Sequence, residues 1–80
     1  MTDTTDAGMV KSAAIDFLRG KLIESGMTQT ELAQRSGLAR SHVSEMLAGR
    51  LARFSVDRVN RALAVFEARI EASYRFDTGR

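Results

Sequence analysis

The chain has no cysteine, so no disulfide or thiolate metal site can stabilise it, and its single histidine, His42, cannot hold a zinc ion alone. Glycine-rich phosphate loops and metal-ligand spacings are missing too. Ser41, His42 and Ser44 are close in sequence, but neighbouring helical residues point in different directions, and no second histidine or activated nucleophile accompanies them. The sequence therefore predicts neither an enzyme nor a cofactor. No apolar run approaches the roughly 20 residues that a membrane span needs. The segment Met1-Thr-Asp-Thr-Thr-Asp-Ala-Gly8 lacks the basic start and apolar middle of a signal peptide, so the expected location is cytoplasmic, without a membrane partner.

What is present is an 80-residue chain, 44% hydrophobic, of the size of one small domain. A chain of this length buries only about 60% of the surface that its unfolded form exposes. Its core is expected to be thin, and stability lacking in the monomer is expected to come from a partner chain.

The net charge of +2 is unevenly distributed. Residues 1–31 carry Asp3, Asp6, Asp16, Glu24 and Glu31 against Lys11, Arg19 and Lys21, a net −2. Residues 32–80 carry Arg35, Arg40, Arg50, Arg53, Arg58, Arg61, Arg69, Arg75 and Arg80 against Glu45, Asp57, Glu67, Glu71 and Asp77, a net +4. The basic half uses arginine alone, which binds phosphate bidentately and reads guanine edges. That bias points toward nucleic acid, although an ordinary solvated helix surface produces the same pattern.

Residues 1–8 are polar, lack an apolar period and are expected to form a flexible tail. From Val10 to Ser25, Ala14, Ile15, Phe17, Leu18, Leu22 and Ile23 recur at three- and four-residue spacing, which predicts a helix with a broad buried face. Gly26 is its C-cap candidate. Thr28-Gln-Thr-Glu31 has the form of a capping box, which starts a second helix. That helix stops at Ser36-Gly37, where glycine can take the left-handed conformation of a sharp turn. Leu38 follows as an apolar plug, and Arg40 to Ala48 resumes helical spacing through Val43, Met46 and Leu47 until Gly49. Leu51 and Phe54 point inward from the next connection. Ser55 then caps a fourth helix, expected to run to about Phe66 and buried along Val56, Val59, Leu63 and Phe66.

From residue 69 the period changes to two: Ile70, Ala72, Tyr74 and Phe76 on one side, Arg69, Glu71, Ser73 and Arg75 on the other. A lone strand over residues 68–76 leaves unpaired edges, which predicts antiparallel pairing of two copies through Ile70, Ala72, Tyr74 and Phe76. Continuation of the fourth helix is the alternative, because Glu67 to Glu71 is also acceptable helix sequence. Residues 77–80 are expected to form a flexible end.

Two short helices joined by a tight turn pack at a steep angle only if the contact residue is small and the turn accepts unusual dihedrals. Ala33 and Gly37 meet those needs, and Val43 supplies the β-branched contact from the second helix. The series Gln29-Thr-Glu-Leu-Ala-Gln-Arg-Ser-Gly-Leu-Ala-Arg-Ser-His-Val-Ser-Glu-Met-Leu-Ala-Gly-Arg50 resembles the helix-turn-helix of the lambda-repressor and Cro class, the XRE family, with the likeness extending over about Thr28 to Phe66. The resemblance implies an all-α, four-helix DNA-binding domain over residues 9–67, followed by the C-terminal dimerisation strand. Residues 49–59 and the strand-like tail are similar to the HigA-like antitoxins of type II toxin–antitoxin operons, which implies a homodimer repressing its own operon and a co-encoded toxin as partner. A phage Cro-like or controller-type regulator without a toxin, and an antitoxin acting mainly by protein binding, are the alternatives. Ala39 departs from the pattern, standing where Ser or Thr commonly caps the recognition helix.

In the docking geometry of that class, the start of the second motif helix faces base edges and the first helix crosses the backbone. Arg40, Ser41, Ser44 and Glu45 become the candidate base readers: Arg40 for guanine, the serines for several bases, Glu45 for cytosine N4 or for orienting an arginine. Gln29, at a helix N-terminus, is a phosphate-clamp candidate. Arg50 and Arg53, just beyond the recognition helix, are expected to neutralise phosphates. His42 is expected to face outward beside the readers, either touching a phosphate or base or as a plain exposed histidine.

Overall fold

A computed structural model describes residues 7–71 and 73–79. Its elements are α1 (Ala7–Ser25), α2 (Gln29–Ser36), α3 (Arg40–Leu47), a 3₁₀ turn (Leu51–Arg53), α4 (Val56–Ala64), β1 (Arg69–Ile70) and β2 (Phe76–Asp77). The domain is thus all-α, four helices with a two-stranded hairpin at its end. The first helix begins at Ala7, inside the segment 1–8 expected to be a tail; residues 1–6 of that expectation lie outside the described residues. No helix among the described residues is long and apolar enough to cross a membrane.

Local chemistry sets the boundaries of α2. The Glu31 amide donates to Thr28 Oγ1 at 3.1 Å, and Glu31 Oε1 accepts from the Thr28 amide at 3.0 Å. Two amides that a helix start leaves orphaned or exposed are thereby satisfied. The other end closes at Gly37, whose φ of 77° lies in the left-handed region that costs a residue with a Cβ about 1–2 kcal/mol. The Ala33 carbonyl accepts the amides of Gly37 and Leu38, and Ser36 Oγ also takes the Leu38 amide, so three residues suffice to turn the chain into α3.

The core draws on every helix. Val10, Ala14, Ile15 and Leu18 of α1 meet Leu32 and Ala33 of α2, Val43, Met46 and Leu47 of α3, and Val59, Ala62 and Leu63 of α4, with Leu38 and Phe54 plugging the two connections. Full burial of the Val, Leu, Ile, Met and Phe side chains in this set stabilises by about 1.5–3 kcal/mol each, and the alanines contribute less. The buried face of α1 is narrower than its periodicity implies: Ile23, expected inside, is 84% exposed. The three-residue spacing from exposed Gly20 carries Ile23 to a side of the helix that no other described element covers.

The C-terminal segment differs most from expectation. In place of one strand over residues 68–76, β1 and β2 fold back as an antiparallel hairpin, with Arg69 opposite Asp77 and Ile70 opposite Phe76. Directly opposite residues share a sheet face. Ile70 and Phe76 accordingly both turn to the same chain, Ile70 buried in the core and Phe76 packing edge-on against Phe17 of α1 with ring centroids 5.1 Å apart. The other edge of β1 is occupied too, because the Ile70 amide donates to Asn60 Oδ1 and Asn60 Nδ2 donates to the Ile70 carbonyl at 3.0 Å. An asparagine of α4 thus takes the place of a neighbouring strand, and the unpaired edge that motivated cross-dimer pairing of β1 is satisfied within one chain. Asp77, expected in a flexible end, belongs to β2.

Candidate nucleic-acid interface

Helix α3 divides cleanly into two sides. Val43, Met46 and Leu47 are buried, and the i, i+1, i+4 set Arg40, Ser41 and Ser44 is exposed on the opposite side. Among the described residues the side chains of Arg40, Ser41 and Ser44 make no hydrogen bond or ion pair, so all their donors and acceptors face outward. Ala39 precedes α3 with extended φ and ψ of −70° and 145° and gives no side-chain cap. The start of this helix therefore presents backbone amides that no side chain covers.

Glu45 and Arg53, expected as a base reader and a phosphate contact, are brought together. Arg53 Nη1 lies 3.6 Å from Glu45 Oε2, with both side chains substantially in solvent. The Arg50 amide also donates to the Glu45 carbonyl, at 3.2 Å, which folds the start of the connection against the last turn of α3. The Arg50 guanidinium is exposed and unpaired among the described residues. Gln29 is the first residue of α2, half-buried beside the Thr28 cap and at the positive end of the helix dipole. His42 does not face freely outward: it is half-buried, with its ring edge-on to Phe54 at 5.9 Å between centroids. That contact makes it a spacer between α3 and the following connection.

The four residues expected to form a dimer strand are dispersed. Ile70 is committed to the core and Phe76 to Phe17, while Ala72 lies outside the described residues. Tyr74, at φ 60° in the hairpin turn, is 41% exposed.

Two residues that sequence reasoning passed over hold the segment after α3 from behind. Lys11 and Arg19 of α1 donate to main-chain carbonyls at the end of α3 and in and just after the 3₁₀ turn. Their partners lie 28 to 43 positions away, and no local pattern announces a contact of that kind. Their placement four residues either side of buried Ile15 is the one available signal, since it sets two long cations along the rim of a buried stripe.

A family profile described as a helix-turn-helix domain matches residues 1–74. No curated protein and no solved structure matches the chain.

Proposed function

The chain belongs to the helix-turn-helix domain family, membership that supports a DNA-binding regulator, and we propose that α3 is its reading element in the major groove of double-stranded DNA. The observation that carries this reading is the exposed, unbonded row Arg40, Ser41 and Ser44 on a short helix whose opposite face is anchored in the core. Arg40 takes guanine O6 and N7, the serines accept or donate at adjacent bases, and Glu45 either reads cytosine N4 or holds Arg53 toward a phosphate. Gln29, Arg50 and Arg53 set the register on the backbone. His42 orders the connection by packing on Phe54 and sits beside the phosphate-contacting arginines.

An eight-residue helix reads few base pairs, so two copies on a pseudo-palindrome, with half-sites about 34 Å apart, supply the remaining specificity and would repress transcription by occupying the operator. Tyr74, the exposed aromatic of the hairpin, is the residue that we assign to the contact between copies. The antitoxin role follows from the XRE and HigA-like resemblance, and co-purification with the product of the neighbouring reading frame tests it separately.

Selection of duplexes from a random pool, followed by titration at two salt concentrations, tests the central reading. Arg40→Ala is expected to cost roughly 1–3 kcal/mol and to relax preference at one base position, whereas Arg53→Ala weakens all sequences alike and flattens the salt dependence. Equal binding curves for Arg40→Ala and the parent would remove α3 from the reading role.

A further inference from the structure

Lys11 and Arg19 lie two helical turns apart on α1, and between them they hold both ends of one segment. Arg19 donates from Nε, at 3.1 Å, and from Nη2 to the Leu47 carbonyl, while its Nη1 rests on Asp16 at 2.9 Å. Lys11 Nζ donates to the carbonyls of Leu51 at 3.2 Å and Phe54 at 2.9 Å. The bracketed stretch, residues 47–54, carries Arg50 and Arg53. Helix α3 has no basic residue in its own last turn, so Arg19 supplies the positive charge that the exposed carbonyls there favour.

We propose that Lys11 and Arg19 are positioning residues for DNA binding, a two-point latch that orders residues 47–54 against α1 before the nucleic acid arrives. The proposal rests on the DNA-binding reading above and deepens it. Neither cation needs to touch DNA. A connection that is already ordered presents Arg50 and Arg53 without the conformational entropy that a loose one loses on binding, so the latch acts as preorganisation. The two ties add to what already holds the segment, the buried Phe54 ring and the Arg50 amide on the Glu45 carbonyl, and they fix main-chain carbonyls on both sides of Gly49, which sits at φ 91°.

The full-length Lys11→Met and Arg19→Gln variants test this by two readouts. In the protein alone, amide hydrogen exchange of residues 49–54 is expected to speed up about tenfold, the loss of a charge-assisted hydrogen bond, while the amides of Leu32, Val59 and Leu63 keep their protection. Against duplexes selected by the parent chain, affinity is expected to fall about tenfold, with the ratio between the selected duplex and a single-base-pair variant unchanged. Arg19→Lys, which keeps the charge and one donor, is expected to recover part of both.

The decisive comparison is a double-mutant cycle. In an Arg50→Ala/Arg53→Ala background, Lys11→Met should cause no further loss of DNA affinity if the latch works through those arginines. Additive losses would overturn the proposal in favour of a plain stabilising role. Unchanged exchange over residues 49–54 in both single variants would overturn it as well. Should the parent select no duplex, the DNA reading fails by itself, and the exchange measurement still decides whether the latch orders the segment.

Discussion

Asn60 binds Ile70 through both backbone groups, accepting from its amide and donating to its carbonyl, so that one side chain of α4 closes the edge of the hairpin. Asn60→Ala leaves two half-buried polar groups without partners and is expected to destabilise the fold by about 2–3 kcal/mol, read as a lower urea midpoint. Asn60→Asp keeps an acceptor for the Ile70 amide but sets a carboxylate against its carbonyl. It is expected to fall no nearer to the parent than the alanine variant. A midpoint equal to the parent's in Asn60→Ala would mean that the hairpin does not depend on this bond.

The two helices of the motif start differently, and substitution should expose the difference with opposite signs. Thr28→Ala removes half of a capping box and is expected to cost about 1 kcal/mol. Ala39→Ser adds a cap where none exists and is expected to gain about 0.5–1 kcal/mol. Thermal melts should separate the two variants by several degrees, since 1 kcal/mol moves the midpoint of a domain of this size by about 4–8 °C.

Left-handed glycines need not be equally demanding. Gly37 has open space where a Cβ would stand, so Gly37→Asn, a residue that tolerates this conformation, is expected to cost under about 1 kcal/mol. At Gly79, φ 81°, an added Cβ would collide with the Glu67 carbonyl oxygen. Gly79→Asn is therefore expected to displace the end of the hairpin, visible as loss of the ring-current shifts that Phe17 and Phe76 impose on each other. Similar spectra for both variants would refute the distinction.

Glu45 and Arg53 form an exposed pair, and exposed pairs contribute about 0–1 kcal/mol to stability. Glu45→Gln should leave the urea midpoint nearly unchanged yet alter the salt dependence of DNA binding, because it frees Arg53, the cation proposed to meet a phosphate. A changed midpoint with an unchanged salt slope would assign the pair to the fold alone.

The helical part of this molecule is written in local signals. Thr28 and Glu31 spell the start of α2, Gly37 its stop and Ser55 the start of α4, and each of these acts within four residues. The exposed row of α3 follows from the same periodicity, as the complement of Val43, Met46 and Leu47. The hairpin was not legible because its turn has no glycine, proline or asparagine and only Ser73 as a turn-favouring residue: Tyr74 takes a positive φ without being glycine or asparagine, and alternation is the same whether a strand continues or reverses. Ile23 misled for a different reason: next to Leu22 an apolar residue reads as part of the buried face, but seven-residue spacing sets it in line with exposed Asp16 on the solvent side. Lys11 and Arg19 were invisible because carbonyls have no sequence identity. A cation can meet one anywhere the fold brings it.

The division of α3 into an anchored side and an unbonded side has a consequence for how the molecule can change. The side chains of Arg40, Ser41 and Ser44 contribute nothing to the core and make no bond among the described residues, so exchanging them for other helix-compatible side chains leaves the scaffold intact. If α3 reads DNA as proposed, sequence preference and ability to fold are independently variable traits. A library of helix-compatible residues at these three positions should yield folded members almost throughout, a stock in which the proposed reading role of α3 predicts altered DNA preferences.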